Sequence, residues 1–286
     1  KLFNNKIYGL ENPCHKMFKE LFLTNNISFK AISLDENGIV IDDLRKYNVN
    51  IAYVTPSHQF PTGAIMSISR RTELLNWANE NSNRYIVEDD YDSEFKYTGR
   101  PISALKANDI NDKVIYLGSF SKSISPAIRV SYLVLPKTLL NIYQKKLPYF
   151  ICPVPTLNQK ILYRFIKDGH FVKHINKMRT LYKKKREFLV NTIKTYSSEI
   201  LNKEIQIQGA DAGLHMVIKL NQKINEKLFL NECLENSLKL YSLEEYNIEE
   251  TYRENSYFLL GYANLTNKEI EEGILLMLKI LKKYYI

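Results

Sequence analysis

The sequence predicts an α/β fold: a mostly parallel sheet with helical crossovers, followed by a smaller α/β lobe toward the C-terminus. Three observations predict it. From the start to Leu135, short apolar, β-rich runs end in polar turns and alternate with helix-like stretches. Beyond Pro136 the pattern turns to long helices, and short strands return only after Glu204. The length of 286 residues sits near the roughly 250–300 at which a single hydrophobic core stops growing, so two lobes are expected.

In the first lobe the clearest strand runs are Ile51 to Val54, Tyr85 to Val87, Val114 to Leu117 and Val130 to Leu135. Between the first two, Leu74, Leu75 and Ala78 recur at helical spacing within Ser69 to Asn79, which reads as the crossover. A helix from about Thr156 to Asp168 is stopped by Gly169. A longer one, from about Phe171 to Ile193, carries Phe171, Ile175, Met178 and Tyr182 on its apolar face. Strands are expected at Ile205 to Gln208, Leu214 to Leu220 and Tyr257 to Gly261, with helices near Asn225 to Asn236 and Asn267 to Lys283. No internal repeat or low-complexity linker interrupts the chain. The expected division is therefore 1–168 for a large lobe and 169–286 for a small one, with the long helix joining them.

Hydrophobic residues make up 45% and charged residues 25%, ordinary values for a soluble globular chain. The formal net charge of +9 admits an acidic partner or an anionic ligand. Its densest run, Lys183, Lys184, Lys185 and Arg186, reads first as a solvated helix face and only second as a nucleic-acid surface. Cys14, Cys152 and Cys233 are odd in number, far apart and without metal-caging spacing, so a reduced, cytoplasmic compartment is expected. No stretch approaches the roughly 18–20 apolar residues that span a bilayer, and the opening Lys1-Leu2-Phe3-Asn4-Asn5 is no signal peptide.

Open α/β sheets collect ligands at the carboxyl ends of their strands, so the residues just after each apolar run are the first candidates for chemistry. Ile51 to Val54 leads into Thr55-Pro56-Ser57-His58-Gln59-Phe60-Pro61-Thr62-Gly63. Tyr85 to Val87 leads into Glu88-Asp89-Asp90-Tyr91-Asp92, and Val114 to Leu117 into Gly118-Ser119-Phe120-Ser121-Lys122-Ser123. A lysine among small hydroxyl residues suits a covalent amine held close to a phosphate-bearing aldehyde. A buried acid facing a pyridine nitrogen completes that chemistry, and Asp89 is the candidate. Ser119, Ser121 and Arg129 suit the phosphate, and Tyr91 a phenolic oxygen. The bland alternatives are a surface lysine and an acidic run that is solvated or binds Mg2+. A Mg2+-dependent phosphotransferase built on Asp89, Asp90 and Asp92 would need a glycine-rich phosphate loop, and the sequence has no such segment.

These three segments, with Arg129, resemble the aminotransferase-like domain of MocR-type regulators. Ala210-Asp211-Ala212-Gly213-Leu214-His215 and Gly261-Tyr262-Ala263 extend the resemblance over most of the chain. Such proteins join a winged-helix DNA-binding domain of the GntR class to a sensor domain of the fold-type-I aminotransferase class, which binds pyridoxal 5′-phosphate. The resemblance implies that Lys122 is the Schiff-base lysine, Asp89 the pyridine partner and Tyr91 the phenol-oxygen contact. Ser119 and Arg129, with Ser121 beside them, become the phosphate ligands, and His58 joins the cofactor-contact set. In Glu11-Asn12-Pro13-Cys14-His15 the last residue stands where the family stacks an aromatic on the cofactor ring, so His15 would stack instead.

Two departures matter. Phe258-Leu259-Leu260-Gly261 lacks the carboxylate-binding arginine of ordinary aminotransferases of this class, and the MocR-type alternative on an earlier strand is matched by Lys239, a point charge rather than a planar fork. The chain also opens just before the ring-stacking segment, without the DNA-binding domain or the first part of the aminotransferase domain. Open apolar surface at the edge of the large-lobe sheet, or another chain covering it, is expected. The functions implied are a sensor in which an amine or amino-acid effector displaces Lys122 from its imine, or a working aminotransferase. Either would be a homodimer, with DNA bound only through a domain outside this chain and no membrane association.

Overall fold

The computed structural model describes residues 2–3, 5–100, 102–251 and 253–285; Lys1 and Asn4 of the opening segment lie outside them. The first lobe is built from β1 (Tyr8–Asn12), α1 (Lys16–Thr24), β2 (Phe29–Asp35), β3 (Gly38–Ile39), α2 (Ile41–Lys46), β4 (Ile51–Val54), α3 (Ile68–Asn79), β5 (Tyr85–Asp90), β6 (Val114–Ser119), β7 (Ser131–Val134) and α4 (Lys137–Lys146). Two helices come next, α5 (Thr156–Lys167) and α6 (His170–Leu201). The second lobe holds β8 (Gln206–Gln208), β9 (His215–Lys219), α7 (Glu226–Glu235), β10 (Tyr241–Ser242), β11 (Tyr257–Gly261) and α8 (Asn267–Leu281).

Strands of the first lobe form one seven-stranded sheet in the order β3-β2-β1-β4-β5-β6-β7. The five inner strands run parallel, and β3 and β7 pair antiparallel at the two edges. Because β2 lies on one side of β1 and β4 on the other, the winding reverses between β1 and β4, and a crevice opens at their carboxyl ends. The second lobe is an antiparallel sheet in the order β10-β11-β9-β8. The mostly parallel α/β architecture is the one the sequence predicts.

Burial explains the layers. Ile32, Leu44, Val54, Leu74, Trp77, Ile86 and Val114 form one core cluster, so α2 and α3 cover one sheet face. Met216, Ile218, Phe258 and Leu260 pack against Ile193, Ile274, Met277 and Leu281, so α6 and α8 cover the smaller sheet. The sequence reading missed β1, α1, β2, α2 and α4. In β1 the apolar run is broken by Gly9 and Glu11; a Cβ at Gly9 would lie 2.9 Å from Leu44, so close packing under α2 excludes a larger residue. The long helix runs to Leu201 rather than Ile193, its inward face continuing through the buried Ser197, a polar residue that hides the periodicity.

β7 forms an edge, and Tyr132, Leu133 and Val134 on it are 42%, 45% and 43% exposed. No helix is long and apolar enough to cross a membrane among the described residues.

Candidate functional site

The acidic run at the end of β5 is neither solvated nor random. Glu88 accepts from the backbone N–H groups of Leu105 and Lys106 at 2.8 and 2.9 Å, holding the start of a short 3-10 turn. Asp90 accepts from the hydroxyls of Ser93 and Tyr116 at 2.7 and 2.6 Å. Asp92, 2% exposed, sits 3.0 Å from His58 Nδ1. Asp89 receives the Tyr53 hydroxyl at 2.5 Å from the neighbouring strand β4. Each carboxylate therefore has a protein donor, and Asp89 alone of the four is held by a side chain that shares the wall of a cavity.

That cavity, of about 640 Å3, lies at the crevice between β1 and β4 and is closed on its far side by the second lobe. Its polar wall is Glu11, Thr55, Asp89, Tyr91, Asp92, Lys122 and His215, with His15 at α1. Leu10, Met17, Phe18, Leu21, Leu214 and Leu259 supply the apolar wall. Four of the residues singled out in the sequence thus meet here: Lys122, Asp89, Tyr91 and His15. Among the described residues lining it, Lys122 is the only lysine or arginine.

Burial sets the electrostatics. Asp89 is raised above the usual carboxylate range chiefly by desolvation, against the lowering effect of the Tyr53 hydroxyl. The Tyr91 phenol is pushed well up, first by burial and then by Asp92 and Asp89, so it stays protonated and donates to the His58 carbonyl at 2.7 Å. His15 caps α1, accepting from Met17 N–H at 3.3 Å, and its ring lies 5.3 Å from that of Phe60. Burial, then the ammonium groups of Lys122 and Lys16, lower its pKa and keep it a neutral ring.

The remaining sequence candidates stand elsewhere. Ser119 ends β6 and Ser121 follows it, joined by a 3.1 Å bond from Ser121 N–H to Ser119 Oγ, and Arg129 is exposed in a left-handed conformation at φ 49°. None of the three lines the cavity. His58 also fails to reach it: Nδ1 faces Asp92 and Nε2 the Gly209 carbonyl at 3.2 Å, so both nitrogens are used inside the fold. Lys239 corrects a further expectation. It lies before β10 rather than on a strand, is exposed, and places its ammonium 5.2 Å from the Tyr241 ring beside a second cavity of about 500 Å3.

Sequence reasoning missed Glu11, Tyr53, Phe60 and His215. Glu11 is 3% exposed; its Oε2 accepts from Thr55 N–H, Thr55 Oγ1 and Gln59 Nε2 at 3.1, 2.7 and 3.2 Å, while Oε1 has no partner. Desolvation pushes its pKa up to about 7 from 4.5. The folded protein therefore keeps a proton that the unfolded chain has lost, and this carboxyl's contribution to stability falls as pH rises from 4.5 to about 7. Glu11→Gln is expected to stabilise the protein above that window, by at most about 3 kcal/mol near pH 8, and to change little near pH 5. Denaturant melts at the two pH values check it.

The segment carrying His15 is clasped to residues 245–251 of the second lobe. Cys14 N–H donates to the Tyr246 carbonyl at 3.0 Å, Ile248 N–H to Asn12 Oδ1 at 2.8 Å, and Lys19 Nζ to the Ile248 carbonyl at 3.0 Å. Lys16 pairs with Glu245 and lies 5.1 Å from the Tyr246 ring.

With this geometry in view, the comparisons with known proteins are specific. Residues 10–274 match the family model of aminotransferase class I and II. Two HTH-type transcriptional regulators of Bacillus subtilis (strain 168) are similar: YdeL is 36% identical over 93% of this chain and 56% of its own length, and YhdI 38% over 93% and 55%. The chain thus spans about half the length of the curated relatives it matches. Among solved structures, a multiple substrate aminotransferase from Thermococcus profundus superposes with a TM-score of 0.85 at 26% identity, covering 99% of this chain and 71% of that one. A parallel sheet with a lysine and an aspartate meeting at its carboxyl edge, and a family match across nearly all of it, place this chain in the aminotransferase class I and II family.

Proposed function

We propose that this chain binds pyridoxal 5′-phosphate and acts as the ligand-sensing part of a MocR-type transcriptional regulator, with an amine or amino acid competing against Lys122 for the cofactor's aldehyde carbon. One observation carries it: Lys122 and Asp89, delivered from the ends of adjacent strands, line the same cavity, with Tyr91 and His15 on its wall. The residues fit the group. An amine stands ready for the aldehyde, a buried carboxyl for the pyridine nitrogen, and the volume lies within the roughly 300–1,000 Å3 of small-molecule sites.

When bound, the cofactor supplies an aldehyde that captures primary amines and a ring that withdraws electrons. The protein's part is to hold it. Asp89, kept in place by Tyr53, would pair with the ring nitrogen; Tyr91, turning its hydroxyl from the His58 carbonyl, would donate to the phenolic oxygen; His15 would lie against the ring. Ser119, Ser121 and Arg129 stand outside the cavity wall on the stretch that carries Lys122, and would take a phosphate that projects beyond that wall. The same reading divides the chain into residues 1–168, holding the cofactor, and 169–286, closing over it, and makes it a homodimer in the cytoplasm. DNA would be bound by a separate domain, as the HTH designation of its relatives indicates.

The likeness to the Thermococcus profundus enzyme supports a second reading, a working aminotransferase. Sustained keto-acid production from an amino acid and a second keto acid, at ordinary turnover rates, would favour it over the sensor. The covalent assignment common to both is tested by adding pyridoxal phosphate, reducing with borohydride and mapping the labelled peptide. The label is expected on Lys122. Label spread over the chain's other lysines, with none concentrated at Lys122, overturns the assignment.

A further inference from the structure

His215 opens β9, opposite Gly261 of β11, and is 8% exposed on the wall that Lys122 also lines. Nε2 lies 3.2 Å from the Pro61 carbonyl. A carbonyl oxygen only accepts, so Nε2 carries the hydrogen and Nδ1 is a lone pair. The His58 ring at 4.4 Å and the Phe60 ring at 5.4 Å fix the plane of the imidazole. No hydrogen bond to Nδ1 is made among the described residues.

We infer that His215 Nδ1 is the acceptor that receives an N–H of the amine entering the cavity, holding its nitrogen beside Lys122 and selecting ligands that keep an N–H to give. Burial and the charge of neighbouring His58, then that of Lys122, lower the pKa of His215 well below 6.5. The ring is therefore neutral at physiological pH, and the lone pair persists beside a cationic neighbour. Nothing is transferred; the role is hydrogen bonding and orientation. A neutral acceptor matches an ammonium and adds no like charge to a wall that already carries the Lys122 ammonium. As a partner for the ligand's amine, His215 deepens the proposed function and rests on it, but its own chemistry is visible without the cofactor.

The test uses n-butylamine and its N,N,N-trimethyl analogue, of similar chain but without an N–H. In cofactor-free protein, 15N NMR is expected to show His215 as the Nε2–H tautomer, with the Nδ1 signal shifting on addition of butylamine and not of the trimethyl analogue. An Nδ1–H tautomer, or equal shifts with both compounds, overturns the inference. In protein loaded with pyridoxal phosphate, His215→Phe is expected to weaken butylamine binding by about 10-fold or more, as for a lost hydrogen bond to a charged group, with His215→Gln restoring part of it. Melting temperatures control for folding. Unchanged butylamine affinity in His215→Phe also overturns it. A failure of borohydride labelling at Lys122 would strike the cofactor reading alone, since the NMR result stands apart from it.

Discussion

Asp89→Asn is expected to weaken pyridoxal phosphate binding by about 10- to 100-fold, the worth of one buried hydrogen bond between charged partners at about 1.5–3 kcal/mol. The aspartate is partly prepared for that role. Tyr53 donates to it from β4, and the Phe18 ring lies 4.5 Å from the Tyr53 ring, so the tyrosine is itself held. Asparagine can still accept from Tyr53 and should leave the fold alone, but it cannot pair with a protonated ring nitrogen. The pH dependence carries the sign. Burial raises the Asp89 pKa, and a cationic ring opposite would pull it back down. Wild-type affinity should therefore fall as pH drops through the raised pKa, where the carboxyl is neutral, and the variant should be flatter over the same range. Absorbance titrations at several pH values check both, and equal affinity in the two proteins at every pH would remove Asp89 from the site.

Gly213→Ala should cost more in stability than any conservative change on the cavity wall. Its φ of +69° is left-handed, and an added Cβ would lie 2.0 Å from His58 Nδ1 and 2.4 Å from Asp92 Oδ2. The left-handed backbone alone costs a non-glycine residue about 1–2 kcal/mol, and overpacking about 1–3 kcal/mol. Together these amount to roughly 2–5 kcal/mol, read as a lower denaturant midpoint at unchanged slope. The damage should also spread to the cavity, because the His58–Asp92 pair must move and the His58 ring lies 4.4 Å from that of His215. Butylamine binding is expected to weaken even at temperatures where the variant is fully folded. A midpoint within error of wild type would mean that the loop relaxes around the methyl group.

The sequence made the lysine and the acid legible because each comes directly after an apolar strand of ordinary composition, Val114 to Leu117 and Tyr85 to Val87, at the sheet edge where ligands collect. It hid the partners that work on them. Tyr53 reads as one more strand residue in Ile51-Ala52-Tyr53-Val54, and only the parallel register of β4 with β5 brings its hydroxyl to Asp89. Glu11 sits in a strand whose glycine and charged positions mask it. His215 belongs to the second lobe, and its neighbours His58 and Phe60 come from a loop some 150 positions earlier in sequence, a contact no local pattern records. Lys239 shows the reverse: a positional match to a strand charge, where the backbone is irregular just before β10 and the ammonium lies 5.2 Å from the Tyr241 ring. His58 turned inward because a buried carboxylate, Asp92, was waiting for its Nδ1.

The hydrogen-bonded clasp between the His15 segment and residues 245–251 ties one wall of the cavity to the second lobe. A ligand whose binding tightened the clasp would itself be held more firmly, by the same factor, when the clasp was tightened from the other side, because such coupling is reciprocal. On the proposed reading, an effector held at His215 would be felt across that lobe, and a partner gripping the lobe would in turn change how firmly the effector is kept.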